Sequence, residues 1–325
     1  MASAPDGSGF LAALLACPDC RTPLVQQEDE LVCGRCQEHY PVVRDVPRFV
    51  EAKNYASNFG LQWNRFRRTQ LDSYSGVSIS RSRFFRQTGW DADALRGRLV
   101  LDVGCGAGRF TEVALSCGAR VVAIDFSSAV DACRANFPDR ENLLVVQADI
   151  RRLPFALGTF DFVYCFGVLQ HTPEPAAAFA ALPPMVKDGG CLAIDVYPRL
   201  PMNLLWPKYW LRPLTRQLPP HSLFSAVERC VPVLLPLSRA LGRTPVVGRW
   251  LRHVIPVVNY EGIYPLDERQ LAEWAILDTY DMLAPAHDHP QSAATVERWM
   301  RSAGIRDVEV FRSGFLVGRG TRAAT

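Results

Sequence analysis

From residue 99 onward the hydrophobic pattern switches repeatedly between two periods. Short apolar runs at 99–101, 121–124, 143–146, 160–166 and 191–196 read as strands. Between the first two, Phe110, Val113, Ala114 and Cys117 recur at helical spacing. A turn at 187–190 precedes the fifth strand, and Ser128 with Asp131 spells a capping box for the helix after the second. Near the end, Ser292 can cap a helix through Ala303 that stops at Gly304. Two runs at 308–311 and 315–317 then flank the turn Ser313-Gly314 and read as a hairpin.

The N-terminal part follows other rules. Runs at 24–25 and 31–32 suggest a small hairpin, with a third strand at 40–43. Tyr55, Phe59, Trp63 and Phe66 fall at spacings of four, four and three, which is one face of a helix. That face either packs on the next domain or caps a ligand. A Pro-rich, helical stretch at 198–290 interrupts the alternating pattern. These features divide the chain into a ribbon at 1–50, a helical cap at 51–97 and an α/β domain at 98–325, with the stretch at 198–290 as a lid insert.

Composition adds limits. The 325 residues are 48% hydrophobic and 21% charged, with a net charge of only +3, which fits a globular chain better than one that coats nucleic acid. No apolar run reaches the roughly 18 to 20 residues of a membrane span. The most apolar region is broken by Pro232, Pro236, Pro245 and Pro256. Leu14, Leu15, Ala16 and Cys17 mimic a lipoprotein cleavage site, but no Lys or Arg precedes them and Asp6 does.

Cys17 has a better use. Cys17 and Cys20 form one Cys-x-x-Cys knuckle, and Cys33 and Cys36 form a second a dozen residues later. Four thiolates so spaced can surround a tetrahedral zinc ion, and an all-cysteine set leaves no open position for water, so the expected zinc is structural. The other six cysteines show no framework spacing, which points to reduced thiols and a cytoplasmic protein.

The first strand of the α/β domain runs into Asp102, Gly104, Cys105, Gly106 and Gly108 and then a helix, the context a nucleotide-type loop requires. A dinucleotide fingerprint would place its third glycine at position 109, where the chain has Arg109, and no Lys-Ser/Thr follows, which excludes a P-loop. Asp125 ends the second strand, where a carboxylate can bind ribose hydroxyls, and Asp149 lies just past the third, in reach of an adenine amino group.

Asp-x-Gly-x-Gly-x-Gly with these two acids, and the block from Gln147 through His171 to Pro173, resembles the motifs of class I methyltransferases that use S-adenosylmethionine (SAM) on small molecules. The resemblance runs from about 98 to 320 outside the insert. It implies a Rossmann-like sheet with a terminal antiparallel hairpin, and a SAM site at Asp102, Gly104, Cys105, Gly106, Gly108, Asp125, Phe126, Asp149, Ile150 and Phe166. Residues 17–49 resemble the zinc-ribbon activators of tRNA and rRNA methyltransferases, a module also fused to bacterial small-molecule enzymes.

The insert should carry specificity. Residues 199–252 contain eight arginines and Lys208 against Glu228 alone, about +8. With Trp206, Tyr209, Trp210, Phe224 and Trp250, this suggests a lid over an apolar acceptor, a face resting on a membrane surface, or a solvated lid. His171, past the fourth strand, is the candidate general base, because imidazole titrates near neutrality. His287, His289 and Tyr264 are secondary candidates. Rival readings are an RNA methyltransferase guided by the ribbon, a SAM-binding partner protein without catalysis, and an NAD-dependent oxidoreductase. The acceptor, the methylated atom and the oligomeric state stay open at this point.

Overall fold

A computed structural model describes residues 11–51, 54–200, 207–248 and 254–324; Trp206 and Trp250 lie outside them. The chain begins with a four-stranded sheet in the order β1-β2-β3-β4, made of β1 (Leu24–Gln27), β2 (Glu30–Cys33), β3 (His39–Val43) and β4 (Val46–Pro47). Next come α1 (Ser57–Arg65) and α2 (Ile79–Thr88). The α/β unit follows as β5 (Leu99–Val103), α3 (Arg109–Ser116), β6 (Arg120–Asp125), α4 (Ala129–Asn136), β7 (Leu143–Gln147), β8 (Phe160–Phe166), α5 (Pro175–Ala180) and β9 (Val186–Val196). The insert supplies α6 (Pro207–Thr215), α7 (Pro220–Gly242) and α8 (Glu268–Leu283), and the chain closes with α9 (Ala293–Ser302), β10 (Ile305–Ser313) and β11 (Phe315–Arg322).

The main sheet has seven strands in the order β10-β11-β9-β8-β5-β6-β7. The pairs β5–β6, β6–β7, β5–β8 and β8–β9 are parallel, whereas β11 runs antiparallel to both β9 and β10. The central strands are largely apolar because both of their faces are covered; β5 is buried at every position, Asp102 included. Chain order reverses between β5 and β8, so a crevice opens at the carboxyl ends of those strands.

Two local expectations fail. Residues 187–190 are no separate turn: they continue β9, whose register against β8 shifts between Phe160 and Phe162, and Gly189 takes the strain with φ +74°. The Ser128 capping box does not form either. Ser128 makes no side-chain cap, the Ser127 hydroxyl accepts from Ala129 N–H, and Asp131 turns away to the Arg48 guanidinium at 2.6 Å. Ion pairing across the domain boundary outcompetes the local cap.

The ribbon is welded to the sheet edge. Phe49 N–H donates to Gln147 O at 2.8 Å, and Arg48 bridges Gln147 in parallel register, which extends the sheet beyond β7. Arg21 donates to the carbonyls of Leu153 and Phe155, at 2.5 and 2.9 Å. Leu15, part of the run that mimics a lipoprotein signal, and Leu11 just before that run are buried in the same core as Leu153 and Phe155. Burying each such side chain contributes about 1.5 to 3 kcal/mol, ample reason for that run to be apolar.

The insert packs on itself before it covers the crevice. Leu223, Val227, Val231 and Leu235 form an i, i+4 stripe on α7 against Ala275, Tyr280 and Leu283 of α8. Pro232 and Pro236 sit on the opposite, exposed side of α7. Asp267 and Gln270 cap α8 reciprocally. Beneath it, α1 is tied to the insert by Asn58 Nδ2–H, which donates to Ala284 O at 2.8 Å.

Candidate active site

A cavity of about 930 Å³ occupies the crevice at the carboxyl ends of the strands, roofed by α1 and the insert. Its size falls within the range of small-molecule sites. Gly104, Cys105, Gly106, Asp125, Phe126, Asp149, Ile150, Phe166 and His171 all line it, so the structure brings together most of the residues expected from sequence.

Asp102 and Gly108 do not reach the cavity. Asp102 is buried within β5 and accepts the Thr111 hydroxyl at 2.6 Å, while burial pushes its carboxyl up to about 7. Gly108 has φ +93°, and a Cβ there would lie 2.5 Å from the Phe137 ring, so its role is to let α3 start against α4. Gly104 serves the cavity itself: φ is +80° and a Cβ would meet Val168 at 2.1 Å.

Asp125 is fixed from three directions. Its Oδ1 accepts Ser127 N–H at 2.8 Å and the Ser127 hydroxyl at 2.7 Å, and its Oδ2 accepts Gly106 N–H at 3.0 Å. Burial raises its pKa against these donors. A carboxylate has about four lone-pair sites, so it retains capacity toward a ligand. Asp149 is clamped by Arg151, which closes to 2.8 Å, and it accepts Arg151 N–H at 2.8 Å. Beside it, Tyr55 lies 4.9 Å from Phe126 ring to ring. Gly106, the two carboxylates and this aromatic pair form a wall suited to a nucleoside, and the SAM group fits these residues.

The aromatic face of the N-terminal segment divides its work. Tyr55, Phe59 and Trp63 line the cavity, whereas Phe66 packs on Phe224 of the insert at 5.9 Å.

His171 is buried with its ring 5.3 Å from Phe59 and 5.4 Å from Tyr197. Its Nδ1–H donates to His287 O at 3.0 Å, because a carbonyl can only accept. Nε2 is thereby left as the acceptor nitrogen, and burial lowers the pKa, which keeps the ring neutral. Of the secondary candidates, Tyr264 lines the cavity, but neither His287 nor His289 is among the lining residues. His287 lends its carbonyl, and His289 N–H donates to Gln170 O at 2.9 Å.

The pattern of the sequence did not single out several cavity residues: Gln70, Arg83, Tyr197, Asp278 and Asp281. The signal for the last two was available, since acids at i and i+3 in the apolar second half of α8 must share one face. The arginine-rich insert is less of a charged face than its composition suggests. Arg212 and Lys208 turn inward to Asp288, Arg239 pairs with Glu268, and Arg243 pairs with Glu261.

In the ribbon the four thiol sulfurs of Cys17, Cys20, Cys33 and Cys36 lie within 4.8 Å of one another. The Cys17–Cys36, Cys20–Cys33 and Cys20–Cys36 separations are 3.6, 3.3 and 3.9 Å. Zinc–sulfur bonds of about 2.3 Å at tetrahedral angles span edges of about 3.8 Å, so the set fits the ion. The Tyr40 hydroxyl, 3.4 Å from Cys17 Sγ, can donate to a bound thiolate.

Known proteins agree with this architecture. Residues 101–194 match the methyltransferase domain family, and residues 10–45 match the Trm112p-like protein family. The chain thus carries a class I methyltransferase domain behind a Trm112p-like domain. It is 38% identical over 133 residues to the demethylmenaquinone methyltransferase of Thermobifida fusca, covering 40% of this chain and 56% of that one. It is 32% identical over 134 residues to the ubiquinone biosynthesis O-methyltransferase of Acinetobacter baumannii, covering 39% and 56%. The chain therefore spans about half the length of the curated relatives it matches. Human N-acetylserotonin methyltransferase in complex with SAM superposes with a TM-score of 0.47 at 14% identity, over 85% of this chain and 61% of that one. The strand order described above, not that superposition, carries the fold assignment.

Proposed function

We propose that the chain transfers the methyl group of SAM to a small, largely apolar acceptor enclosed beneath the helical insert. The observation that carries this reading is that one cavity joins the Gly106–Asp125–Asp149 wall to a second wall drawn from the insert. Bound there, SAM supplies a methyl group already activated by its sulfonium, so the protein's task is alignment and exclusion of water.

Asp125, Asp149, Phe126, Ile150 and the turn at 104–106 hold the nucleoside half of SAM. Tyr55, Phe59 and Trp63 close over the site, and His171 Nε2 takes the proton of an acceptor that carries one. The two quinone-pathway relatives support an apolar acceptor. Zinc at the four cysteines holds the ribbon, whose contacts with Gln147 buttress the cofactor wall. The reduced cysteines favour work in the cytoplasm.

A peripheral membrane contact by the insert is part of this proposal. Among the described residues no helix is long and apolar enough to cross a membrane. Large exposed hydrophobics nevertheless concentrate in the insert, including Trp210, Leu214, Leu218, Val233, Leu237 and Val246.

The test is incubation of the purified protein with methyl-labelled SAM and separated RNA, lipid and polar small-molecule fractions of a cell extract. Label in the lipid or small-molecule fraction is expected. Label in RNA would transfer the assignment to the ribbon-guided rival, and binding of SAM with no label in any fraction would favour a non-catalytic role.

A further inference from the structure

The half of the cavity formed by α2, α3 and the insert holds two half-buried ionisable side chains, Arg109 and Asp278, that do not pair with each other. Arg109, the first residue of α3, donates Nε–H to Ser80 Oγ and Nη1–H to Gln70 Oε1, both at 2.9 Å. The Ser80 hydroxyl is itself spent on Gln70 O at 2.8 Å. Asp278 Oδ1 accepts Gln70 Nε2–H at 3.2 Å, and its Oδ2 accepts the Tyr260 hydroxyl. Every one of these partners is neutral. No ion pair within 4 Å involves either residue among the described residues.

Protein surrounds Arg109 and Asp278, yet each keeps accessible surface and lines the cavity, so that surface is cavity wall. Burial accordingly lowers the Arg109 pKa to about 10 and raises that of Asp278 to about 7. Both keep bonding capacity: a guanidinium has five N–H donors, of which two are placed, and a carboxylate has about four acceptor sites, of which two are filled. Because one planar amide, that of Gln70, bonds to both, the guanidinium and the carboxyl group stand side by side.

The surroundings are flat and aromatic. Trp274 is held by its Nε1–H on Thr69 O at 2.9 Å, and it lies 5.4 Å from the Tyr260 ring and 5.3 Å from the Tyr264 ring. The Arg109 guanidinium lies 5.3 Å from the Trp274 ring. A guanidinium set into the protein with only neutral partners is expensive unless a ligand completes it.

We propose that Arg109 and Asp278, spaced by Gln70, form the acceptor-recognition site. They grip a planar ring bearing a hydrogen-bond donor beside an acceptor oxygen, with Trp274 and Tyr264 as its apolar wall. The donor goes to Asp278 and the oxygen to Arg109. This rests on the methyl-transfer reading, and it makes the two residues determinants of which acceptor binds, leaving proton removal to His171.

The test uses the full chain, with S-adenosylhomocysteine (SAH) affinity measured first by calorimetry. Catechol, veratrole and hydroquinone are then titrated by ligand-observed NMR, with and without SAH. Catechol offers a donor beside an oxygen, veratrole has lost its donors, and hydroquinone separates its oxygens across the ring. Catechol is expected to bind about tenfold more tightly than either. Asp278→Asn should bring catechol to the veratrole level without changing SAH or veratrole binding, and Arg109→Met should weaken catechol and, through the lost bond to its ether oxygen, veratrole, with SAH binding unchanged. Equal affinities for the three probes in the unaltered protein would overturn the proposal even if neither variant folds. A loss of SAH binding in Arg109→Met with catechol unaffected would overturn it too, by placing Arg109 in the cofactor half. Failure of the unaltered protein to bind SAH would sink the methyl-transfer reading, and the SAH-free titrations would still read the clamp by itself.

Discussion

His171 Nδ1–H donates to His287 O at 3.0 Å, a bond from the α/β domain to the far end of the insert that leaves Nε2 as the ring's acceptor nitrogen. Replacing His171 by alanine should lower turnover by about 10²- to 10⁴-fold on an acceptor that must lose a proton, with SAH affinity unchanged. Burial holds the folded pKa below the ordinary 6.5. The rate should therefore stay level through neutrality and fall only on the acid side. Stability moves the same way: just below 6.5 the unfolded chain binds the proton that the folded chain refuses, so stability rises with pH there. Thermal melts of His171→Gln should lose this slope; a variant with full turnover and an unaltered slope would remove the assignment.

Asp102 gives a pH dependence of opposite sign. Its ordinary value of 3.8 is raised to about 7 in the fold, chiefly by burial. The folded state thus holds a proton that the unfolded chain has released. That contribution is present in full below 3.8 and is lost as pH rises through about 7. Asp102→Asn should flatten the fall in melting temperature between about pH 5 and pH 8. Some fall should persist, because Asp278 has the same shift. If the two proteins melt in parallel across that range, the buried carboxyl is already ionised and the prediction fails.

The different legibility of these residues has a physical cause. Asp125, Asp149 and the glycine turn follow short strands whose period is local, so the sequence places them at one sheet edge. Asp102 shares their motif, but which way its side chain turns depends on Thr111, beyond the glycine turn in the first turn of α3. Gln70, Arg83, Asp278 and Asp281 come together only through the packing of α1, α2 and the insert on the sheet, and no local period records that. The same holds for Ser128, whose cap signal was locally sound until Arg48, remote in sequence, took Asp131 away. Arginine counts in the insert misled because ion pairs such as Arg212–Asp288 close inside the lid.

The outer face of α7 gives a third test. Val233 and Leu237 are 73% and 48% exposed at i, i+4 spacing, and nearby Arg229 is exposed while Glu228 pairs with Arg65. An apolar ridge beside an exposed arginine suits the interface of an anionic bilayer. The protein should sediment with vesicles containing phosphatidylglycerol, and less so with pure phosphatidylcholine or at high salt. Joint substitution Val233→Asp and Leu237→Asp should abolish sedimentation and leave SAH affinity intact. Equal recovery from both vesicle types, or none from either, would count against a membrane face.

Zinc removal should be felt at the cofactor, and the route can be traced bond by bond. Cys33 ends β2 and its N–H donates to Glu38 O at 3.0 Å, so the cysteine cluster is joined directly to the β2–β3 pairing. β3 pairs with β4 through Val42–Pro47 and Val43–Val46. Immediately after β4, Arg48 Nη1–H donates to Gln147 Oε1 at 3.0 Å and Phe49 N–H to Gln147 O at 2.8 Å. Gln147 Nε2–H then donates to Phe126 O at 3.0 Å, and Phe126 lines the cavity. Structural zinc in finger peptides supplies about 10 to 16 kcal/mol, so a ribbon of this size is expected to need the proposed ion for folding. Chelation should therefore lower the melting temperature and weaken SAH binding several-fold, and zinc should restore both. Arg48→Met tests the coupling without touching the metal, because it cuts the bonds to Gln147 and Asp131 while the four cysteines stay. It should weaken SAH with zinc content unchanged. A chelated protein that loses its zinc yet keeps full affinity would show that the sheet edge holds the cofactor wall unaided, and the ribbon would then need another purpose.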